Sequence, residues 1–309
     1  MTDKTGHQLG TRLIVGSLAV AAVTGLLWMD AHLEIHLGLG LLMLFGSTLA
    51  LCEFYQLAQG LGHRPMTVSA LFLSALITGH WLWLQDTFAV GRDPILLYLL
   101  LMTSLCFLKL LQRPASERKM EDVALTLLGW VYLWIPLSFG MRLRTEPSFV
   151  TALGFLDTLG GKVPSGQSGQ AALAFALAAA KGSDILAYFV GSRLGRNPLA
   201  PTISPKKTWE GLGGAVAGGA LFGWGVAHWW PALPAGELPA AVLGGLIGGV
   251  GQFSDLCESA LKRQAGVKDS GNIPALGGML DMVDSLLLAL PVAYYGLIWI
   301  NTHYRAIPA

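Results

Sequence analysis

The chain has 309 residues, 53% of them hydrophobic and only 13% charged, with a formal net charge of +1 at pH 7. So little charge cannot cover the surface of a water-soluble protein of this length, and no basic run marks a nucleic-acid surface. Apolar runs of bilayer-spanning length recur instead; they do not alternate, and in hydrocarbon only helices or closed barrels satisfy the backbone, so the chain reads as an all-α, polytopic membrane protein.

Nine spans are predicted. The first covers 13–29, where Trp28, Met29 and Asp30 follow the apolar run in place of a small-residue cleavage site, so it reads as a retained helix. The next four, 36–53, 68–85, 94–111 and 123–141, are Leu-rich with short connections. Within them His80, Trp81 and Trp83 suit an interfacial belt, as do Trp229 and Trp230 further on, while Glu53 ends the second span without an assigned role. Residues 142–169 form a Gly/Ser-rich connection with no chemical pattern. The last four spans, 170–190, 208–230, 239–259 and 284–300, are rich in Gly and Ala, and Gly214/Gly218 and Gly244/Gly248 stand at the four-residue spacing that lets helix backbones approach closely in lipid. The chain thus divides into structural helices (1–141) and a C-terminal catalytic region (142–309).

Charge sets the expected orientation. With the N-terminus cytoplasmic, fourteen Lys and Arg fall in the inner connections and five in the outer ones, with Lys181 inside the sixth span. The expected location is the bacterial inner (cytoplasmic) membrane. Cys52, Cys106 and Cys257 lie in apolar segments without paired spacing and read as small buried hydrophobes.

Ionisable residues in spans are expensive and mark functional sites by default. Three clusters occur on the predicted inner side. In "SDLCESALKR" (254–263), Asp255, Glu258, Ser259 and Lys262 fall at i, i+3, i+4 and i+7 on one helix face, followed by Arg263. An Asp255–Ser259–Lys262 network joining two helices is the structural alternative. In "SPKKTWEGLGG" (204–214), Ser204, Lys206, Lys207 and Thr208 precede a helix; the hydroxyls suit caps, and the lysines beside a helix N-terminus suit an anion. In "KDSGNIPALGGMLDMVDS" (268–285), Lys268 and Asp269 precede a Gly277-Gly278 turn, with Asp281 and Asp284 at i, i+3 as the last helix begins. Hard carboxylate oxygens suit Mg²⁺, which completes its shell with substrate phosphates, and Lys and Arg take the remaining phosphate oxygens. The set points to metal-assisted phosphoryl or nucleotidyl chemistry on a lipid; no Cys/His set fits zinc.

These stretches, with "DILAYFVGSRLGR" upstream, resemble the phosphatidate cytidylyltransferases, also called CDP-diacylglycerol synthases, over about residues 180–295. The resemblance implies transfer of the cytidylyl group of CTP to phosphatidate, giving CDP-diacylglycerol and pyrophosphate in phospholipid biosynthesis, with Mg²⁺ and room for a second cation. A homodimer is a candidate assembly. Asp255 and Asp281 match the family's metal-binding aspartates, with Asp284 a third, and these three with Lys268 and Asp269 are the expected catalytic set. Ser204, Lys206, Lys207, Thr208, Ser259, Lys262 and Arg263 are the expected substrate-binding set, while Glu210, Asp184 and Tyr188 match further positions of the second block.

The chain departs from the family's "PGHGG" and "LDRxDS": Leu276 and Met282 stand where a His and an Arg are usual, and the preceding loop is one residue short. The reading is an active enzyme with a variant signature. Its rivals are a CTP-dependent lipid-alcohol kinase, which would need a base for its hydroxyl nucleophile, and an ion-coupled transporter using Lys181, Asp184 and Asp255. The latter predicts mid-bilayer charges and inverted repeats, whereas these charges gather at helix ends.

Overall fold

The computed structural model describes residues 24–30, 32–33, 36–83, 95–117, 119–146, 167–271 and 277–303. Most of the first predicted span and of the 142–169 connection, and Leu276, lie outside the described residues. The other eight predicted spans coincide with helices: α1 (Leu37–Gly60), α2 (Thr67–Trp83), α3 (Ile95–Gln112), α4 (Met120–Thr145), α5 (Gln167–Leu194), α6 (Trp209–Trp229), α7 (Glu237–Gln264) and α8 (Met279–His303). Six of them, α1, α3, α4, α5, α7 and α8, are long and apolar enough to cross a membrane. The chain is a multi-pass membrane protein, and among the described residues six of the nine predicted spans reach that length and hydropathy. α2 has only 17 residues, and seven glycines dilute the hydropathy of α6. A short antiparallel pair, β1 (Pro198–Ala200) and β2 (Ser204–Thr208), is the one addition to an all-helical fold among these residues.

The chain forms two compact units, one of residues 1–135 with 264–283 and the other of 136–263 with 284–309. The connection 265–278, grouped with the C-terminal region on sequence, therefore clusters with the N-terminal helices.

In the first unit, α1 packs on α2 and α4, and α3 packs on α2 and α4. Carboxylates do the work of caps and clamps. Asp30 accepts the Gly38 and Leu39 N–H groups, both at 2.7 Å, and so satisfies donors that the first turn of α1 cannot satisfy itself. Asp122, with its side chain 1% exposed, accepts Arg64 N at 2.8 Å and Arg113 Nη1 at 2.5 Å, which ties the α1–α2 turn and the end of α3 to the start of α4. One turn on, Thr126 accepts Met66 N through its hydroxyl and Tyr55 Oη through its carbonyl. Gly129 marks where α1 crosses α4: a Cβ there would press on the Phe54 and Tyr55 rings at 2.7–2.9 Å. α4 contains a π turn at Trp130–Trp134, just before Pro136, whose missing N–H breaks the regular ladder.

In the second unit, α6 lies between α5 and α7, and glycine makes both contacts possible. On one face, a Cβ at Gly214 or Gly218 would meet Val190, Leu186 and the Gly182 carbonyl of α5. On the other, a Cβ at Gly219 would strike the Gly244 backbone, and one at Gly248 the Ala215 backbone. The four-residue spacing thus belongs to helix packing, as the sequence suggests.

Candidate functional site

Three helices and the hairpin of the second unit build one polar site. α7 supplies a face one turn after another: Gln252, Asp255, Glu258, Ser259 and Lys262. Asp255, Glu258 and Asp284 of α8 bring their carboxylate oxygens within 4.8 Å of one another. Glu258 is wholly buried, and Lys262 pairs with it at 2.6 Å from the next turn of the same helix. Asp255 pairs with Lys207 of the hairpin, also at 2.6 Å, and accepts Ser259 Oγ at 3.3 Å. Asp284 is held by its backbone: its carbonyl accepts Ser254 Oγ at 2.5 Å, while its Oδ1 accepts Ser285 N.

The hairpin exists to aim Lys207. Thr208 caps α6 by accepting Gly211 N at 3.1 Å, and Trp209 N reaches Asn197 O at 3.0 Å. Glu210 turns back to accept Arg196 N, Asn197 N and Asn197 Nδ2, and Arg263 Nε donates to Ile203 O at 3.3 Å. With both arms tied, Lys207 donates to Gln252 O and to Asp255. Ser204 pairs with Ala200 in the ladder, and Lys206 is exposed beside it.

Beneath this trio lies a second layer. Asp184 of α5 accepts Gln252 Nε2 and Ser285 Oγ, each at 3.0 Å, and lies 3.6 Å from Lys181, whose Nζ donates to Ser285 Oγ at 2.9 Å. Tyr188, one turn beyond Asp184, is exposed and meets the neighbouring Phe189 ring edge-on.

The remaining expected residues belong to the first unit. Lys268 and Asp269 are exposed in the connection before α8. Asp281 Oδ2 accepts Ser270 N and Ser270 Oγ at 3.1 Å and Gly278 N at 2.9 Å, so it closes the turn whose Gly277 takes φ +85°. Glu53, which the sequence leaves without a role, caps α8 in this unit. Its Oε1 accepts Met279 N at 2.8 Å, and its Oε2 accepts Leu280 N at 2.9 Å and Ser270 Oγ at 2.7 Å. A carboxylate ending an apolar span was the available signal; its partners lie more than 210 residues away. Glu53→Gln puts an amide N–H₂ against one of those donors. We expect a loss of about 1–3 kcal/mol, read as a lower unfolding temperature in detergent, with Glu53→Ala lower still.

The donor set fits a hard divalent ion. Oxygens on one octahedral Mg²⁺ stand about 3.0 Å apart when adjacent and about 4.2 Å when opposite, from bonds of about 2.1 Å, so carboxylates within 4.8 Å of one another can close on a shared ion by side-chain movement. Three carboxylates against two ammonium groups leave one net negative charge, which suits a cation.

A family model described as the cytidylyltransferase family matches residues 10–299. Among curated proteins, a phosphatidate cytidylyltransferase of Synechocystis sp. is 36% identical over 261 residues, 80% of this chain and 84% of that one. Another, from Brucella abortus, is 31% identical over 303 residues, 93% and 92% of the two chains. A third, from Pseudomonas aeruginosa, is 43% identical over 119 residues, 38% and 44%.

Proposed function

The chain belongs to the cytidylyltransferase family, and from that premise we propose that it makes CDP-diacylglycerol from CTP and phosphatidate for phospholipid biosynthesis. The observation that carries this reading is the trio of Asp255, Glu258 and Asp284, met by Lys207 and Lys262 at the ends of apolar helices. It is a place where anionic phosphates and a lipid can be held together.

The chemistry asks little of acid–base groups. An oxygen of the phosphatidate phosphate attacks the α-phosphorus of CTP, the bond to the β-phosphate breaks, and pyrophosphate leaves with the electron pair. The nucleophile is already anionic, so no strong base is required. What must be overcome is repulsion between phosphates, and that calls for fixed positive charge and in-line positioning. Asp255, Glu258 and Asp284 would hold Mg²⁺, which supplies charge neutralisation at the transferred phosphoryl group. Lys207 and Lys262, now on Asp255 and Glu258, exchange those partners for phosphate oxygens when the nucleotide arrives. Ser254, Ser285 and the hairpin keep Asp284 and Lys207 in place. The excess of Lys and Arg in the connections expected to be inner supports a site on the cytoplasmic face, and the bacterial relatives support an inner membrane.

The test is transfer of label by the purified protein in detergent with phosphatidate. Label from α-phosphorus-labelled CTP should enter the lipid fraction, and label from γ-phosphorus-labelled CTP should not; with diacylglycerol offered in place of phosphatidate, the reverse pattern would mean a lipid-alcohol kinase. Chelation with EDTA should lower transfer to background, and excess Mg²⁺ should restore it. Undiminished transfer in EDTA would remove the metal from the reading.

A further inference from the structure

A lysine in the middle of an apolar helix is costly, and Lys181 is the fifteenth of the 28 residues of α5. Its side chain is nonetheless 45% exposed, against 17% for Lys207 and 11% for Lys262. The lysine is not needed to satisfy Asp184, whose two oxygens already accept Gln252 and Ser285. Rather, Asp184 and Ser285 hold the ammonium, from 3.6 Å and 2.9 Å, at the residue that directly follows Asp284.

The three cations also come from three different elements. Lys207 comes from the hairpin, but its ammonium reaches Gln252 O, twelve residues inside the Gln264 end of α7, whereas Lys262 stands two residues from that end. Lys181 lies thirteen residues inside the Leu194 end of α5, about 20 Å along the helix. A nucleotide would be met by the two enclosed lysines, which already pair with carboxylates of the trio. The more exposed Lys181 is left for a second, lipid-borne phosphate.

Granting the lipid-phosphate acceptor proposed above, we propose that Lys181 is a substrate-binding residue that takes the phosphate monoester of the lipid, with Asp184 and Ser285 orienting its ammonium. The nucleotide phosphates belong to Lys207 and Lys262. The division is between two phosphate sources at one site, and kinetics with each substrate varied separately distinguishes them.

The experiment compares wild type, Lys181→Met and Lys181→Arg in mixed micelles, varying phosphatidate as a surface fraction and CTP in solution. A charge-assisted hydrogen bond to phosphate corresponds to a change on the order of 10- to 100-fold. The methionine variant should raise KM for phosphatidate by that amount and leave KM for CTP within about twofold. The arginine variant should recover most of the loss, which a purely steric role would not produce. An unmoved KM for phosphatidate in Lys181→Met, a shift confined to CTP, or an arginine variant as poor as methionine overturns the assignment. Should Lys181→Met leave the monodisperse folded state, the same kinetics on Lys181→Gln, of similar polarity but uncharged, decide it by the same criteria. A wild type that transfers no label overturns the acceptor reading itself, whereas an active wild type with unmoved variants overturns only the role of Lys181.

Discussion

Asp284→Asn should lower cytidylyl transfer by on the order of 1,000-fold while leaving the protein folded. The substitution keeps the shape and one carbonyl oxygen of the side chain. The backbone contacts that hold residue 284, from Ser254 to its carbonyl and from its own neighbour Ser285, are also kept. What disappears is one of three negative charges within 4.8 Å of one another. With Lys207 and Lys262 still present, the trio loses its excess of negative charge and with it the electrostatic reason to bind a divalent cation. Metal polarisation of a phosphoryl oxygen contributes several kcal/mol, and each 1.36 kcal/mol is tenfold in rate, which gives the magnitude. Raising Mg²⁺ should recover part of the activity, because the lesion is in affinity as well as in catalysis. A variant with more than about a tenth of the wild-type rate at ordinary Mg²⁺ would remove Asp284 from the metal set.

Gly244→Val should prevent recovery of monodisperse protein in detergent. Gly244 and Gly219 are backbone to backbone where α7 meets α6, so a Cβ at 244 runs into the Gly219 carbonyl, an atom that no rotamer change can move. Overpacking ordinarily costs about 1–3 kcal/mol where side chains can give; here the helices themselves must separate. Separation would break the geometry in which α7 presents Asp255 and Glu258. Gly249→Ala is the natural control, since a Cβ there would meet only Val216 Cγ2, at 3.6 Å. It should elute and melt as wild type does. A stable, active Gly244→Val would mean that the close approach of α6 and α7 is dispensable.

The helices were legible because hydrocarbon imposes a length: eight of the nine predicted runs meet a helix, with ends within five residues except at the end of α1, which runs seven residues further. The glycine spacing and the Thr208 cap were legible because their cause is local. The hairpin was not: strands of three and five residues, with Pro198 and Pro205 in them, carry no periodicity, and their ladder depends on Glu210 and Arg263 from outside. Glu258 was visible on the helix face beside Asp255, but its buried position against Asp284 depends on how α7 and α8 pack, which no spacing within α7 encodes. Asp184, Gln252 and Ser285 come from three helices, so their hydrogen bonds are a product of packing alone. Glu53 shows the limit most plainly, since nothing near residue 53 hints at a partner at 279.

That same contact sets a timetable for biogenesis. The Glu53 carboxylate finds Met279 and Leu280 across 226 and 227 residues of chain. At about 5–20 residues per second of synthesis, roughly 10–45 seconds separate the emergence of the two ends. Throughout that interval an acidic side chain at the end of an inserted helix has no cap to make, and the first unit lacks the segment 264–283 that completes it. The early helices must therefore wait in the bilayer as a provisional assembly, and the chain finishes its first unit only when its last helix has begun to enter.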